Sequence, residues 1–163
     1  NNFQVELVEN GQTAKKKLLE LIPVGAEVMT ITSQTLEAIG VTKEINQSGQ
    51  YNAVRNRLMS MDRKTQAQEM NRLGAAPAFA VGSVGAITED GHVLIASATG
   101  SQLPAYVYGA GKVIWVAGTQ KIVKNTDEGI KRIYQYVFPL ENVRSQKAYG
   151  VDSGINKLLI INK

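Results

Sequence analysis

Hydrophobic positions along this chain recur with two different periods. Over Phe3–Val8 apolar and polar residues alternate, and that period predicts a strand. After Asn10-Gly11 the spacing changes, and Ala14, Leu18, Leu21 and Ile22 fall on one face of a helix that Thr13 caps and Pro23 with Gly25 ends. A second strand over Glu27–Ile31 runs straight into Thr32-Ser33-Gln34-Thr35, and Leu36–Ile39 continues helically to Gly40. Val41–Ile45 reads as a short helix and Gln47–Gln50 as a loop, while Tyr51–Met61 fits either irregular or helical structure. Asp62 is placed to cap a helix from Arg63 to Leu73 that Gly74 closes.

Beyond Pro77 short apolar runs alternate with glycine turns. Phe79–Val81 predicts a buried strand, and Ala86–Thr88 and His92–Ile95 flank Glu89-Asp90-Gly91 as the arms of a hairpin. Thr99-Gly100 is expected to open a helix reaching Tyr108, with Gly109 and Gly111 as its stop. The uninterrupted apolar run of Lys112–Ala117 suits a parallel strand covered on both faces. Asn125–Glu128 opens an amphipathic helix with Thr126 as cap, acids in the first turn, and Ile130, Ile133, Tyr134 and Val137 on one face. Pro139 is expected to break it, with another helix starting over Leu140–Arg144, a loop at Ser153–Lys157 and a last strand at Leu158–Ile161. Strands alternating with helices predict an α/β fold, three layers α/β/α around a mainly parallel sheet, with residues 1–163 as a single domain. Ligands of such sheets gather outside the carboxyl ends of the strands. Thr32–Thr35, Ser97–Gln102 and Gly118–Lys121 are thereby candidate neighbours.

Composition narrows the chemistry. Hydrophobic residues make up 44% of the chain, enough for a packed core. With no cysteine, the chain offers no disulfide, thiolate zinc site, iron–sulfur cluster or cysteine nucleophile. A single histidine, His92, argues against a multi-histidine metal site and a Ser-His-Asp triad, and no calcium-loop spacing occurs. No metal and no cofactor are expected. No apolar run reaches the ~18 residues of a membrane helix, and the start shows no basic-then-apolar leader, so a cytoplasmic protein without membrane contact is expected. Asn1 is not an initiator methionine, so the native N-terminus is expected to lie upstream. The net charge of +4 favours small anionic ligands. Lys15-Lys16-Lys17 reads as the solvated face of a helix. Arg55, Arg57, Arg63, Lys64 and Arg72 form the most basic region, but without aromatic interleaving or helix-turn-helix spacing nucleic acid is not the expected partner.

Candidate site residues follow from the strand ends. Ser33, Gln34 and Thr35 lie where a strand turns into a helix, a natural anion cradle, although Ser33 as a plain helix cap explains the same residues. Ser97, Thr99, Gly100 and Ser101 form a small-residue loop ahead of the next helix, and Lys121 follows the buried strand. Trp115 and Phe79 read as core, and His92 as a partly exposed strand residue. Tyr106 and Tyr108 read as pocket lining or helix packing. Glu141 and Arg144, three apart, read as an ion pair or a ligand site.

From Gly82 onward the chain resembles the LUD, or lactate-utilisation, domain family. The resemblance is carried by GSVGAITEDGHVLI, by Ala98-Thr99-Gly100, by YGAGKVIWVAGTQKIVKNTDEGIKRI and by PLENVRSQKAYG, over about residues 76–150, and ITSQTLEAIG also fits. It implies a fold like that of ribose-5-phosphate isomerase, glucosamine-phosphate deaminase and the CoA transferases. It also implies a place beside separate iron–sulfur and oxidoreductase subunits in lactate oxidation. Glu89 in TEDG is similar to the glutamate of CoA transferases that attacks a thioester, a carboxylate nucleophile splitting one hard step into two; an ordinary hairpin turn is the competing reading. Lys121 matches a lysine typical of the family, placed to pair with a carboxylate or phosphate. Ser97 stands where many relatives carry an acid, and Ser101-Gln102 where they carry Asn-Arg, so a base and a guanidinium clamp are missing there. The function expected is binding of a small anionic metabolite, accessory to lactate utilisation. The alternatives are an isomerase- or CoA-transferase-type enzyme using Glu89, and a protein-interaction module without a ligand site. A twofold homodimer is the default expectation for assembly.

Overall fold

The computed structural model describes residues 3–162. In chain order the helices are α1 (Gly11–Glu20), α2 (Gln34–Ala38), α3 (Val41–Gln47), α4 (Val54–Ser60), α5 (Arg63–Ala75), α6 (Thr126–Arg132) and α7 (Phe138–Tyr149). The strands are β1 (Glu27–Thr30), β2 (Asn52–Ala53), β3 (Phe79–Gly82), β4 (Ala86–Thr88), β5 (Val93–Ser97), β6 (Lys112–Trp115), β7 (Ile122–Val123) and β8 (Lys157–Ile161). Among the described residues four of the six strand pairings are parallel. The architecture is α/β, with a parallel sheet flanked by helices. The chain divides into two compact units, one of Val5–Ser83 with Ser101–Val116 and one that includes Val84–Gly100 and the residues from 117 onward.

The first unit holds a four-stranded, wholly parallel sheet in the order β2-β1-β3-β6. Val28 pairs with Phe79 and Thr30 with Val81, and Val81 in turn with Ile114. Leu18 from α1, Ile22 just beyond that helix, Leu36 from α2, and Val41 and Ile45 from α3 close over Val28 and Val81 as one apolar cluster. Successive residues Ala80 and Val81 are both buried, as a central strand covered on two faces requires. β6 shows the same apolar run without that burial. It is the edge strand of this sheet, and Val113, Ile114 and Trp115 are only half-buried.

Several expectations are corrected here. Residues 3–8 form no strand, and Val5 and Leu7 are exposed; alternation describes a half-buried strand only where a neighbour supplies the ladder. The cap of α1 is Asn10, whose side-chain oxygen accepts from the amides of Gln12 and Thr13, each at 3.0 Å. Leu21 is exposed, and Leu19 packs in its stead. Asp62 caps α5 as expected, but Gly74 lies buried inside that helix, which runs on to Ala75. Thr99-Gly100 does not open a helix. The helical turn begins at Leu103 and widens into a π-turn over Ala105–Gly109.

The second unit holds a mixed sheet in the order β7-β4-β5-β8. The predicted hairpin is present, with Ala86 opposite Leu94 and Ile87 opposite Val93. Ala86, Leu94 and Ile133 form its fully buried centre. Gly129 lets α6 approach the hairpin closely: a β-carbon there would sit 2.9 Å from Leu94 Cδ2. Tyr134, expected on the buried face, is exposed. Asn125, not Thr126, caps α6, accepting from the Glu128 amide at 3.0 Å. Pro139 does not break the helix. In the π-turn over Ile133–Val137 the Phe138 amide bonds Ile133 O, one residue beyond its α-helical partner, and α7 continues through Pro139 near its start. A widened turn just before proline accommodates the ring and the missing amide donor.

Candidate functional site at the carboxyl end of the parallel sheet

Strand order points to a candidate site. In the first unit, chain connections leave β1 toward β2 on one side and β3 toward β6 on the other, so the direction of winding reverses between β1 and β3. Parallel sheets of this order bind ligands at that reversal, outside the carboxyl ends of the two strands. Ile31 extends the β1–β3 pairing by one bond to Val81 O at 2.8 Å, and the chain then turns away through Thr32 and Ser33. From the neighbouring strand, Gly82 leads to Ser83. The Ser83 hydroxyl donates to Val116 O at 2.6 Å and lies 3.5 Å from Thr35 Oγ1. Behind it Tyr106 is buried edge-on to Trp115, ring centres 5.5 Å apart, and burial raises the Tyr106 hydroxyl above its ordinary pKa.

Among the candidates in this unit, Ser33 caps α2, its oxygen accepting from the Leu36 amide at 3.3 Å. Gln34 is the exposed first residue of α2, and Ser101 lies in an exposed turn. Thr35 is the one that meets a residue of the adjacent strand end. Two further side chains, neither offered as a site residue by the sequence, lie at the carboxyl ends of β1 and β3. One is Ser83. The other is Arg55, in the first turn of α4, whose Nε donates to Thr30 O and whose Nη2 donates to Thr32 Oγ1, both at 3.0 Å. The sequence carries no signal that separates Arg55 from Arg57, and yet Arg57 pairs with Glu27 at 2.8 Å.

The remaining candidates belong to the second unit. Glu89 is exposed at the hairpin turn, its amide bonded to Val123 O at 2.9 Å. The same turn is braced by a short Thr88–Asp90 side-chain hydrogen bond and by the His92 amide on Thr88 Oγ1 at 2.7 Å. His92 Nδ1 lies 3.4 Å from Thr126 Oγ1 and 3.6 Å from Asp90 Oδ2. Ser97 is buried and accepts from the Gly100 amide at 2.8 Å. Gly100 takes φ +85° with the Lys157 stem packed on it, and Thr99 is exposed. Lys121 Nζ donates to Val84 O at 3.0 Å; burial, and then the nearby Arg132 charge, lower its pKa.

Comparison with known families decides the relationship. The model of the LUD domain matches residues 1–151. The chain belongs to the LUD domain family. Among curated proteins, none matches it. The match spans α1 through α7 of this LUD domain and includes the carboxyl ends of all four strands of the parallel sheet. Among the described residues no helix is long and apolar enough to cross a membrane.

The polar groups at the β1–β3 end of the LUD domain include hydroxyls and a guanidinium. Hydroxyls both donate and accept, and a guanidinium only donates. Such a set can hold ligand oxygens. Glu141 and Arg144 are paired at 2.7 Å on α7, which assigns them the ion-pair role.

Proposed function

We propose that this LUD domain binds a small anionic metabolite at the carboxyl ends of β1 and β3. One observation carries the reading. The Thr35 and Ser83 hydroxyls, on segments leaving two adjacent parallel strands, come within 3.5 Å of each other at the reversal of strand order. Ligands of doubly wound sheets occupy that crevice, and the net charge of +4 favours an anion in it. Family membership supports a place in lactate utilisation, with this domain as the metabolite-binding part. These 163 residues contain no cysteine to hold a cluster, and in this reading an iron–sulfur or oxidoreductase partner carries the electrons.

A thermal-shift panel of small acids, sugar phosphates, nucleotides and acyl-CoAs tests the reading, each variant being compared with and without ligand. At about 100 times Kd a ligand stabilises by about 2.7 kcal/mol. The expected result is an anionic hit whose shift is lost in Ser83→Ala and in Thr35→Val. A hit unaffected by both substitutions, or no hit in the panel, would overturn it.

A further inference from the structure

We infer that Arg55 is the oxyanion-recognising residue of this site, gripping a carboxylate or phosphate group of the ligand between its guanidinium edge and the Thr32 hydroxyl. The inference rests on the anion-binding reading above and adds to it the residue and the chemical group recognised.

Topology brings Arg55 to the right edge. β2 ends at Ala53 and α4 begins at Val54, so Arg55 emerges at the carboxyl end of β2. β2 lies parallel to β1, with Val28 opposite Ala53. The side chain therefore needs only to cross one strand spacing to reach the carboxyl end of β1, where its two bonds are found.

Both of those bonds go to neutral oxygens. A guanidinium has five N–H donors; Nε uses one and Nη2 one, which leaves three directed elsewhere. Among the described residues no carboxylate lies within 4.0 Å of Arg55, whereas Lys15, Arg57 and Arg144 each have one. The difference is informative because Arg55 is the better held of the basic groups near the sheet. A main-chain carbonyl fixes Nε, so the fork is oriented before any ligand arrives, and little side-chain freedom is lost on binding. The Thr32 oxygen accepts from Nη2, so the hydroxyl's own hydrogen is left to donate. Planar donors beside a hydroxyl match a carboxylate, or one edge of a phosphate, in the two-pronged manner arginine favours. A mere staple between α4 and β1 would need neither the positive charge nor the unused donors.

The test is NMR titration of the full chain with two probes, inorganic phosphate and malonate, following the Arg55 Nε–H signal and the amides of residues 32–35. The expected result is saturable movement of both sets of signals, with affinity weakened at least tenfold in Arg55→Lys and binding undetectable in Arg55→Gln. Arg55→Lys keeps the charge and loses the fork, so it remains decisive if Arg55→Gln fails to fold. Tighter binding of phosphate than malonate assigns a phosphorylated ligand, and the reverse order a carboxylic acid. Unchanged affinity in the Arg55 variants, together with loss in Ser83→Ala, would overturn the role of Arg55 and leave the anion site standing. If neither probe moves the signals of residues 32–35, both readings fall.

Discussion

Replacing Gly82 by alanine puts a methyl group where Tyr106 already sits. A β-carbon built on Gly82 overlaps the Tyr106 hydroxyl oxygen, lies 2.8 Å from Cζ of the ring and 3.3 Å from Ile31 Cβ. The ring cannot swing aside cheaply: Tyr106 is only 5% exposed and is held edge-on by Trp115. Overpacking of this kind costs about 1–3 kcal/mol, against which the alanine's smaller unfolded-state freedom returns about 0.4–1 kcal/mol. A net loss of about 1.3 kcal/mol lowers the melting temperature of a chain this size by about 3–5 °C. The assay is urea and thermal unfolding of Gly82→Ala, Tyr106→Phe and the double variant. Removing the hydroxyl relieves the worst overlap but leaves the ring carbon close, so the double variant should be more stable than the sum of the singles predicts by about 1 kcal/mol. Strict additivity, or a Gly82→Ala chain as stable as wild type, would refute the packing of Tyr106 on Gly82.

Two further outcomes are expected. Asn10→Ala should cost about 1 kcal/mol in urea unfolding, because two amides of α1 lose their acceptor, and Thr13→Ala clearly less; equal costs would return the cap to Thr13. Lys121 has a native pKa below its ordinary 10.5 through burial and the Arg132 charge. Between the lowered value and 10.5 the unfolded chain binds more protons than the native one, so stability rises with pH across that alkaline window. Unfolding measured at a series of pH values should show that rise in wild type and a flatter profile in Lys121→Met. Parallel profiles would contradict it.

Signals confined to a few neighbouring residues were readable in the chain. Thr88-Glu89-Asp90-Gly91 between two apolar runs specified the β4–β5 hairpin, since a tight turn and its arms need no outside partner to be favoured. Strand β1 followed by Ser33 and a helix was equally legible, and the side chain proved to be the cap. Where two residues of similar chemistry compete locally, the reading slipped by a few positions. Asn10 took the cap from Thr13 and Asn125 from Thr126, because asparagine side chains at those positions reach the amides of the first turn. Alternation at residues 3–8 misled because a strand also needs a paired neighbour. Pro139 misled because the preceding turn widened around it. For the candidate site, Thr35 was named from the hydroxyl-rich turn and lies beside Ser83, which was not named, while Arg55 was named only as part of a basic region. Ser83 and Arg55 are common polar residues, and what each one faces is set by the fold and not by its neighbours in sequence.

By itself the sequence determined the α/β class, most of the elements, the hairpin, and membership in a family whose motifs lie in order along the chain. These depend on local periodicity, turn chemistry and residue identity, which act over a few positions. Only the tertiary structure decided that β1 lies between β2 and β3, that β6 is an edge, and that the winding reverses beside Thr35 and Ser83. It likewise sent Arg57 to Glu27 and Arg55 to Thr30 and Thr32, two arginines two positions apart in one helix. Such choices are made by the simultaneous burial of distant segments, Leu18 with Leu36, Ile45 and Val81. Their free energy belongs to the packed set of segments and is carried by no single stretch of chain.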